Sequence, residues 1–426
     1  MKFLRLLTLP FAFAVVGFVR LIAPWKRVRF GEVWGSRLGH LIGNVECYLC
    51  ECDAMVQPEA YDIWFLNSQP CNWVIWRKYA KHLHVWPKWF ALQVVNVNSL
   101  FAGWGKHIIQ SAQVDRDIFG LWALHAPHIG FTASEERRGE RLLAKLGIPD
   151  DAKWVCLIVR DAAYLKRTQP AIDWSYHDYR DSNIDDYVPA VVELTRRGYY
   201  VIRMGEIVAK PLLVKHSMVI DLAASGQRSE FADLYLGAKC AFCLGASTGF
   251  TAIPEIFKRP VAFVNSAPIE YISTWIEGLV IWKHHVKDGK RLSVPEIVEA
   301  FVSASTFGPD FERAGIKIED NSPQEILDLA MEMCDFVEGK FYHKEVGFNS
   351  NDGFYTKDDQ KDFWDAFPRR IANFNPLHGE IKIRVGREFL KDYHASLPSF
   401  GSPRHQGAES DQGNPVRGLE SAGQTG

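Results

Sequence analysis

Gly245-Ala246-Ser247-Thr248-Gly249 is the stretch best equipped to hold a ligand. It follows an apolar strand through Cys240–Leu244 and precedes a helix from about Thr251 to Lys258 and a second strand, Pro260–Asn265. That order makes it the loop of one βαβ half of an open parallel sheet. Gly245 and Gly249 let the backbone approach a bound group, Ser247 and Thr248 offer hydroxyls, and the N–H groups opening the next helix suit a phosphate. Pro254 is tolerated because a first-turn residue needs no N–H partner. A tight turn with no ligand is the competing reading of the same residues.

Three arginines join this loop. Arg160 stands with Asp161 after the apolar strand Trp154–Val159, Arg180 lies in the polar loop Trp174–Asn183, and Arg203 ends the strand Tyr199–Arg203 just before Gly205. Open parallel sheets bind ligands at the carboxyl ends of their strands. Guanidinium groups match phosphate oxygens bidentately, so Arg160, Arg180 and Arg203 with Ser247, Thr248 and Gly249 could surround a diphosphate without a metal. Surface ion pairs are the alternative. Upstream, Arg37 and His40 sit where a first sheet would bind ligands, ahead of Leu41, Ile42, Val45, Tyr48, Leu49 and Cys52 at helical spacing. A capping or ion-pairing role suits Arg37 and His40 equally well.

The elements that must position these residues alternate. Val28–Trp34, Tyr61–Leu66 and His84–Trp86 read as strands separated by helices, and Thr132 with Glu135 forms a capping box for a helix ending near Leu146. A second βα series starts at Lys153. The expected organisation is α/β, with residues 1–25 a membrane-associated helix, 26–150 a first Rossmann-like domain and 151–345 a second. Residues 346–397 are expected to return over the first domain, and 398–426 to form a disordered tail rich in Gly, Ser, Gln and Pro.

A chain of 426 residues and 47% hydrophobic content supports two domains, and a net charge of −2 gives no basis for nucleic-acid binding. The eight cysteines show no repeated zinc spacing, so Cys47, Cys50, Cys52, Cys240 and Cys243 read as reduced structural thiols in a reducing compartment. Adjacent His284 and His285 cannot share a face, and no metal ligand set is assigned. Leu6 to Val19 carries no charge, with Lys2 and Arg5 before it and Arg20, Lys26, Arg27 and Arg29 after it. A span needs about 20 apolar residues, and positive charge on both sides argues against a cleaved signal. A helix lying in an anionic membrane surface is the expectation, despite Pro10 and Gly17.

Five motifs in order carry a family resemblance: Arg37-Leu38-Gly39-His40-Leu41, Val159-Arg160-Asp161-Ala162-Ala163-Tyr164-Leu165, Tyr176-His177-Asp178-Tyr179-Arg180, Val201-Ile202-Arg203-Met204-Gly205, and Gly245 through Asn265. From roughly Val28 to Cys334 the chain resembles bacterial glycosyltransferases of GT-B architecture that assemble surface polysaccharide or lipopolysaccharide. The resemblance implies two facing Rossmann-like domains with parallel sheets, a nucleotide-sugar donor in the second, and a glycan or lipid-linked acceptor approaching from the first. With the basic-flanked apolar N-terminus it points to a cytoplasmic enzyme, peripheral on the inner membrane, and the absence of a convincing DxD motif agrees with metal-independent transfer that needs no cofactor.

Arg160, Arg180, Arg203, Gly205, Gly245, Ser247, Thr248 and Gly249 then hold the donor diphosphate, Arg37 and His40 face the acceptor, and His40, with Asp161 second, is the candidate base. Two departures stand out: related folds that transfer fucose place His where Ile158 stands, and sugar-nucleotide enzymes of this fold often place a carboxylate where Ala252 or Ile253 stands, with Glu255 a turn too deep. A non-catalytic sugar-nucleotide- or glycan-binding subunit and a sugar-nucleotide epimerase are the alternatives.

Overall fold

Apolar runs alternating with amphipathic stretches fold the chain into an α/β protein with two separate parallel sheets. The computed structural model describes residues 2–109, 116–340, 360, 363–364, 367 and 379–396. The first unit contains α1 (Lys2–Ile22), β1 (Val28–Val33), α2 (Leu38–Asp53), β2 (Tyr61–Leu66), α3 (Trp73–Tyr79), β3 (His84–Val85) and α4 (Lys88–Asn98). Its three strands pair in the order β1-β2-β3, all parallel. A connector carrying α5 (Leu121–Leu124) follows, then α6 (Ala133–Lys145), whose Thr132–Glu135 capping box forms as expected.

The second sheet is larger, and its central strands β4, β7 and β8 are buried along their whole length, as in a parallel sheet covered on both faces. The chain runs β4 (Trp154–Ile158), α7 (Ala163–Thr168), α8 (Val188–Arg196), β5 (Tyr200–Met204), β6 (Val219–Asp221), α9 (Glu230–Lys239), β7 (Phe242–Gly245), α10 (Ala252–Ile256), β8 (Val261–Ser266) and β9 (Gly278–Trp282). A small antiparallel sheet of β10 (His284–Lys287), β11 (Lys290–Arg291) and β12 (Lys317–Glu319) lies beyond it, with α11 (Val294–Glu299), α12 (Gly308–Arg313), α13 (Pro323–Val337), β13 (Arg384–Val385) and α14 (Arg387–Ser396) completing the described chain. The seven strands of the large sheet are ordered β13-β9-β8-β7-β4-β5-β6.

Register makes the carboxyl edge level. Ile158 pairs with Met204 on one side and Gly245 on the other, so the loops bearing Arg160, Gly205 and Ser247 leave the same edge. Gly245 has φ +149°, and a Cβ there would lie 1.8 Å from the Ile158 carbonyl oxygen. A side chain at this position would force β4 and β7 apart.

One expectation changes. Among the described residues, the segment expected to return over the first domain builds mainly on the second: β13 pairs in parallel with β9, and the Gln360 side chain bonds Val385 through both its N–H and C=O. Trp282 packs against Phe363 and Phe389, and Glu332 accepts the Arg387 N–H at 2.7 Å. An open β9 edge and an uncovered tryptophan supply the reason, since both need a partner. Residues 398–426, expected to be a tail, lie outside the described residues.

The N-terminal segment is helical despite Pro10. Ala12, Val16 and Val19 bury one stripe of α1 against Val28, Phe30, Ile63, Val94 and Val97. The opposite side presents Leu7, Phe11, Phe18 and Leu21, each more than half exposed. Not all of the flanking charge stays at the surface: Arg29 is buried and paired with Asp62 at 2.6 Å, and Arg20 donates to Asn98 and to the carbonyls of Phe101 and Ala102. No helix among the described residues is long and apolar enough to cross a membrane.

Candidate functional site

The two units touch where α2 begins. A Cβ on Gly39 would sit 3.3 Å from the Gly249 Cα, and one on Gly249 would sit 2.8 Å from the Gly39 nitrogen, so the approach leaves no room for a side chain at Gly249 and very little at Gly39. Arg37, the residue capping α2, therefore projects from the first unit beside the second, its guanidinium 6.0 Å from the Trp174 ring. Glu230 reinforces the junction by accepting the Trp73 and Val74 N–H groups at 2.8 and 3.2 Å.

Arg160 leaves β4 directly into this junction. Its Nε lies 3.3 Å from Asp181 Oδ1, and its carbonyl accepts the Ser182 N–H at 3.0 Å, which folds the 174–183 loop back onto the strand end. Arg180 closes the short 3₁₀ turn Ser175–Arg180 and donates to the Ser247 carbonyl at 3.5 Å. Arg160, Arg180 and the Gly245–Gly249 loop are thus brought together, with Arg37 reaching them from the first unit.

The cluster carries more positive than negative charge. Burial pulls the Arg180 guanidinium down to about 10, with Arg160 adding to the effect, and burial also lowers Arg160 against the opposing pull of Asp181. Arginine does not lose its proton under ordinary conditions, so these shifts register uncompensated cationic charge. His177 is pulled down to about 4, first by burial and then by Arg160, Arg180 and Arg37. Its imidazole is neutral at pH 7.

Hydrogen-bond accounting points the same way. Arg160 Nε, Arg180 Nε, His177 Nδ1 and Thr248 Oγ1 are all buried with no hydrogen-bond partner; the Arg160–Asp181 pair is close but not aligned as a hydrogen bond. Each such atom costs about 1–3 kcal/mol when left unsatisfied. Four of them gathered among cationic side chains match a multiply charged anion rich in acceptor oxygens, such as a phosphate or diphosphate.

Several sequence assignments are corrected. Arg203 is buried on β5 and donates to the Lys210 carbonyl and to Asp221 Oδ2, so it pins β5 to β6 and to the 205–212 loop. The strand runs on to Met204, so Arg203 lies within β5 instead of in the loop at its carboxyl edge. Gly205 turns that loop at φ +145° and belongs with Arg203. Asp161 accepts the Ala163 N–H at 2.8 Å and the Ala209 N–H at 2.9 Å, one on each oxygen. It braces two loops, so neither oxygen is left free to act as the second candidate base, and the carboxylate beside Arg160 is that of Asp181. The helix after Gly249 is also shorter than expected, a 3₁₀ turn at Gly249–Thr251 followed by the five-residue α10, so charge here comes from side chains more than from a helix dipole.

His40 lies in the first turn of α2, next to the Gly39–Gly249 contact. Its Nδ1 is 3.2 Å from Asn44 Oδ1, and its ring meets Trp34 edge-on at 5.0 Å. A tautomer donating from Nδ1 to Asn44 puts the basic lone pair on Nε2. His177, Trp174, Asp181 and Lys283 were given no role by sequence reasoning. Lys283 is buried, donates to Asp320 Oδ1 at 2.6 Å and to the Asp181 carbonyl, and so holds the back of the loop. The available signal was the crowding of aromatic and charged residues in 174–181, too many for a plain connection.

No protein-family model matches the chain, and no curated protein sequence matches it. Solved structures do. A glycosyltransferase family 9 protein of Veillonella parvula is similar over 72% of this chain and 97% of its own, at 10% identity and a TM-score of 0.42. The ADP-heptose lipopolysaccharide heptosyltransferase II of E. coli is similar over 73% of this chain and 100% of its own, at 11% identity and a TM-score of 0.41. An iron-containing dodecameric glycosyltransferase of enterotoxigenic E. coli is similar over 74% and 77%, at 10% identity and a TM-score of 0.36.

Proposed function

We propose that this protein is a glycosyltransferase that moves a sugar from a nucleotide-activated donor to a glycan or lipid-linked acceptor in bacterial surface polysaccharide or lipopolysaccharide synthesis. The observation carrying the reading is the gathering of Arg37, Arg160 and Arg180 with four unpartnered buried polar atoms at the carboxyl edge of the second sheet. As the anomeric C–O bond breaks, the electron pair leaves on the diphosphate, and Arg160, Arg180 and Thr248 Oγ1 stabilise the charge that develops there. The charge for this step comes from guanidinium groups, so the reading is of metal-independent transfer. The acceptor hydroxyl enters from the first unit and gives its proton to His40 Nε2 if the anomeric centre inverts.

The test is calorimetric titration of the purified protein with several nucleoside diphosphates and their sugars, followed by product analysis with lipid acceptors. Binding plus transfer is expected, and absence of binding to every nucleoside diphosphate overturns the reading. Binding without turnover or hydrolysis indicates a non-catalytic subunit, which the engagement of both Asp161 oxygens favours as the second reading. Release of nucleoside diphosphate with an isomerised sugar and no acceptor indicates an epimerase.

The same reading places α1 on the cytoplasmic face of the inner membrane. Its outer side is apolar, Trp25 beyond it is 81% exposed, and Lys26 and Arg27 remain exposed for anionic headgroups. Leu100, Phe101 and Trp104 are exposed beside the α1 end that Arg20 anchors, extending the apolar surface. The double variant Phe11→Asp, Phe18→Asp is expected to lower flotation with anionic vesicles by at least about tenfold, given about 1.5–3 kcal/mol for burying each Phe. Unchanged flotation would remove α1 from the lipid contact.

A further inference from the structure

α2 carries Glu46, Cys50 and Asp53 on successive turns, at a spacing that puts them on one side of the helix. His128, in the connector between the units, meets this side: its Nδ1 lies 3.2 Å from Glu46 Oε1, and its backbone N–H donates to the same oxygen at 3.1 Å. Glu46 and Cys50 are buried, and the ligating atoms of Glu46, Cys50 and His128 all lie within 4.8 Å of one another. A second layer supports them. His128 Nε2 is 3.2 Å from Asp53 Oδ2, and the Tyr79 hydroxyl donates to Glu46 Oε2 at 2.9 Å. Metal-ligating histidines are held in this way, with one ring nitrogen on the ion and the other donating to a carboxylate.

We propose that Glu46 Oε1, Cys50 Sγ and His128 Nδ1 ligate one divalent ion of the zinc class, with Asp53 and Tyr79 orienting the ligands. Thiolate, imidazole and carboxylate together select zinc-like ions over magnesium or calcium. Bond lengths of about 2.0–2.3 Å place tetrahedral ligand atoms roughly 3.3–3.7 Å apart, so the trio needs to contract by only about 1 Å. On binding, the Cys50 thiol releases its proton to solvent as the metal–sulfur bond forms, and His128 binds as a neutral imidazole whose Nε2–H stays on Asp53. The two anionic ligands then balance the ion.

This site is separate from the arginine cluster. Gly39 and Cys50 are about 16 Å apart along the helix axis, at about 1.5 Å per residue. Its role is to brace the connector: Arg116 donates to the Ile272 carbonyl and Trp122 packs against Trp275, so an ion fixing His128 to α2 also steadies the link to the second unit. The cysteines gave no zinc spacing in the sequence because the histidine partner arrives from far along the chain.

The test is to dialyse the full-length protein against Zn²⁺ or Co²⁺, remove loosely held ion by gel filtration, and measure metal content and the cobalt spectrum. One ion per chain and a thiolate-to-cobalt charge-transfer band are expected. Folded Cys50→Ser and His128→Ala chains should lose both, Asp53→Asn should bind about 10–100-fold more weakly, and Cys52→Ser should bind normally. Wild-type protein that retains no ion, or a band that survives Cys50→Ser or disappears with Cys52→Ser, overturns the proposal. Should Cys50→Ser not fold, the wild-type band decides alone, and its absence is equally fatal.

Discussion

Arg180→Met should weaken binding of a nucleoside diphosphate by roughly 10–150-fold, since a charge-assisted hydrogen bond contributes about 1.5–3 kcal/mol. The same variant should melt higher, by about 3 °C. These opposite signs follow from one fact. In the free protein Arg180 is taken out of water beside Arg160 and Arg37, and among the described residues it makes only a long hydrogen bond, 3.5 Å, to the Ser247 carbonyl. Methionine fills similar volume without that charge. An anion reverses the balance, because it supplies the acceptor oxygens and negative charge that the protein withholds.

Arg203→Met should behave in the contrary way. Arg203 already has Asp221 and the Lys210 carbonyl, so its loss removes the tie between β5, β6 and the 205–212 loop from a buried layer and lowers the melting temperature, with a smaller effect on binding. Calorimetric melting and titration of both variants decide between the assignments. If Arg180→Met melts lower and binds normally, the cluster is structural and the phosphate assignment fails.

The contrast between these arginines shows what the sequence could convey. The loops after β4 and β7 were legible because continuous apolar runs mark central parallel strands, and whatever follows such a strand emerges at the ligand-binding edge. Arg160 and the Gly245–Gly249 loop were placed on that basis. Arg203 failed by a single position, since the strand continues through Met204 and keeps Arg203 within the sheet, where Asp221 and the Lys210 carbonyl hold it. Arg37 and His177 needed tertiary structure. Neither their proximity nor the pairing of Arg160 with Asp181 leaves a periodic trace. The C-terminal segment was misplaced for a related reason: a two-residue edge strand and a few aromatic contacts at Trp282 decide where it docks, and both are too local to register as a pattern.

His177 should couple diphosphate binding to proton uptake. In the free protein it titrates near about 4, against an ordinary value of about 6.5 in an unfolded chain. A base whose folded value is depressed favours the neutral form, so the free protein loses stability as pH falls from about 6.5 towards about 4. Bound diphosphate offsets the guanidinium charges that, after burial, hold the value down, and it offers an acceptor to the imidazolium. The histidine then regains a proton within that window.

A full return to the ordinary value would strengthen binding by about 20-fold between pH 7 and pH 5, beyond whatever the ligand's own phosphate titration contributes. The ligand's contribution is removed by comparison with His177→Gln, which cannot titrate. Calorimetry at pH 5.5 in buffers of different ionisation enthalpy should show about one more proton taken up by the wild type than by the variant. Equal uptake by the two proteins would mean that bound anion leaves His177 neutral, and the coupling of diphosphate binding to its protonation would be rejected.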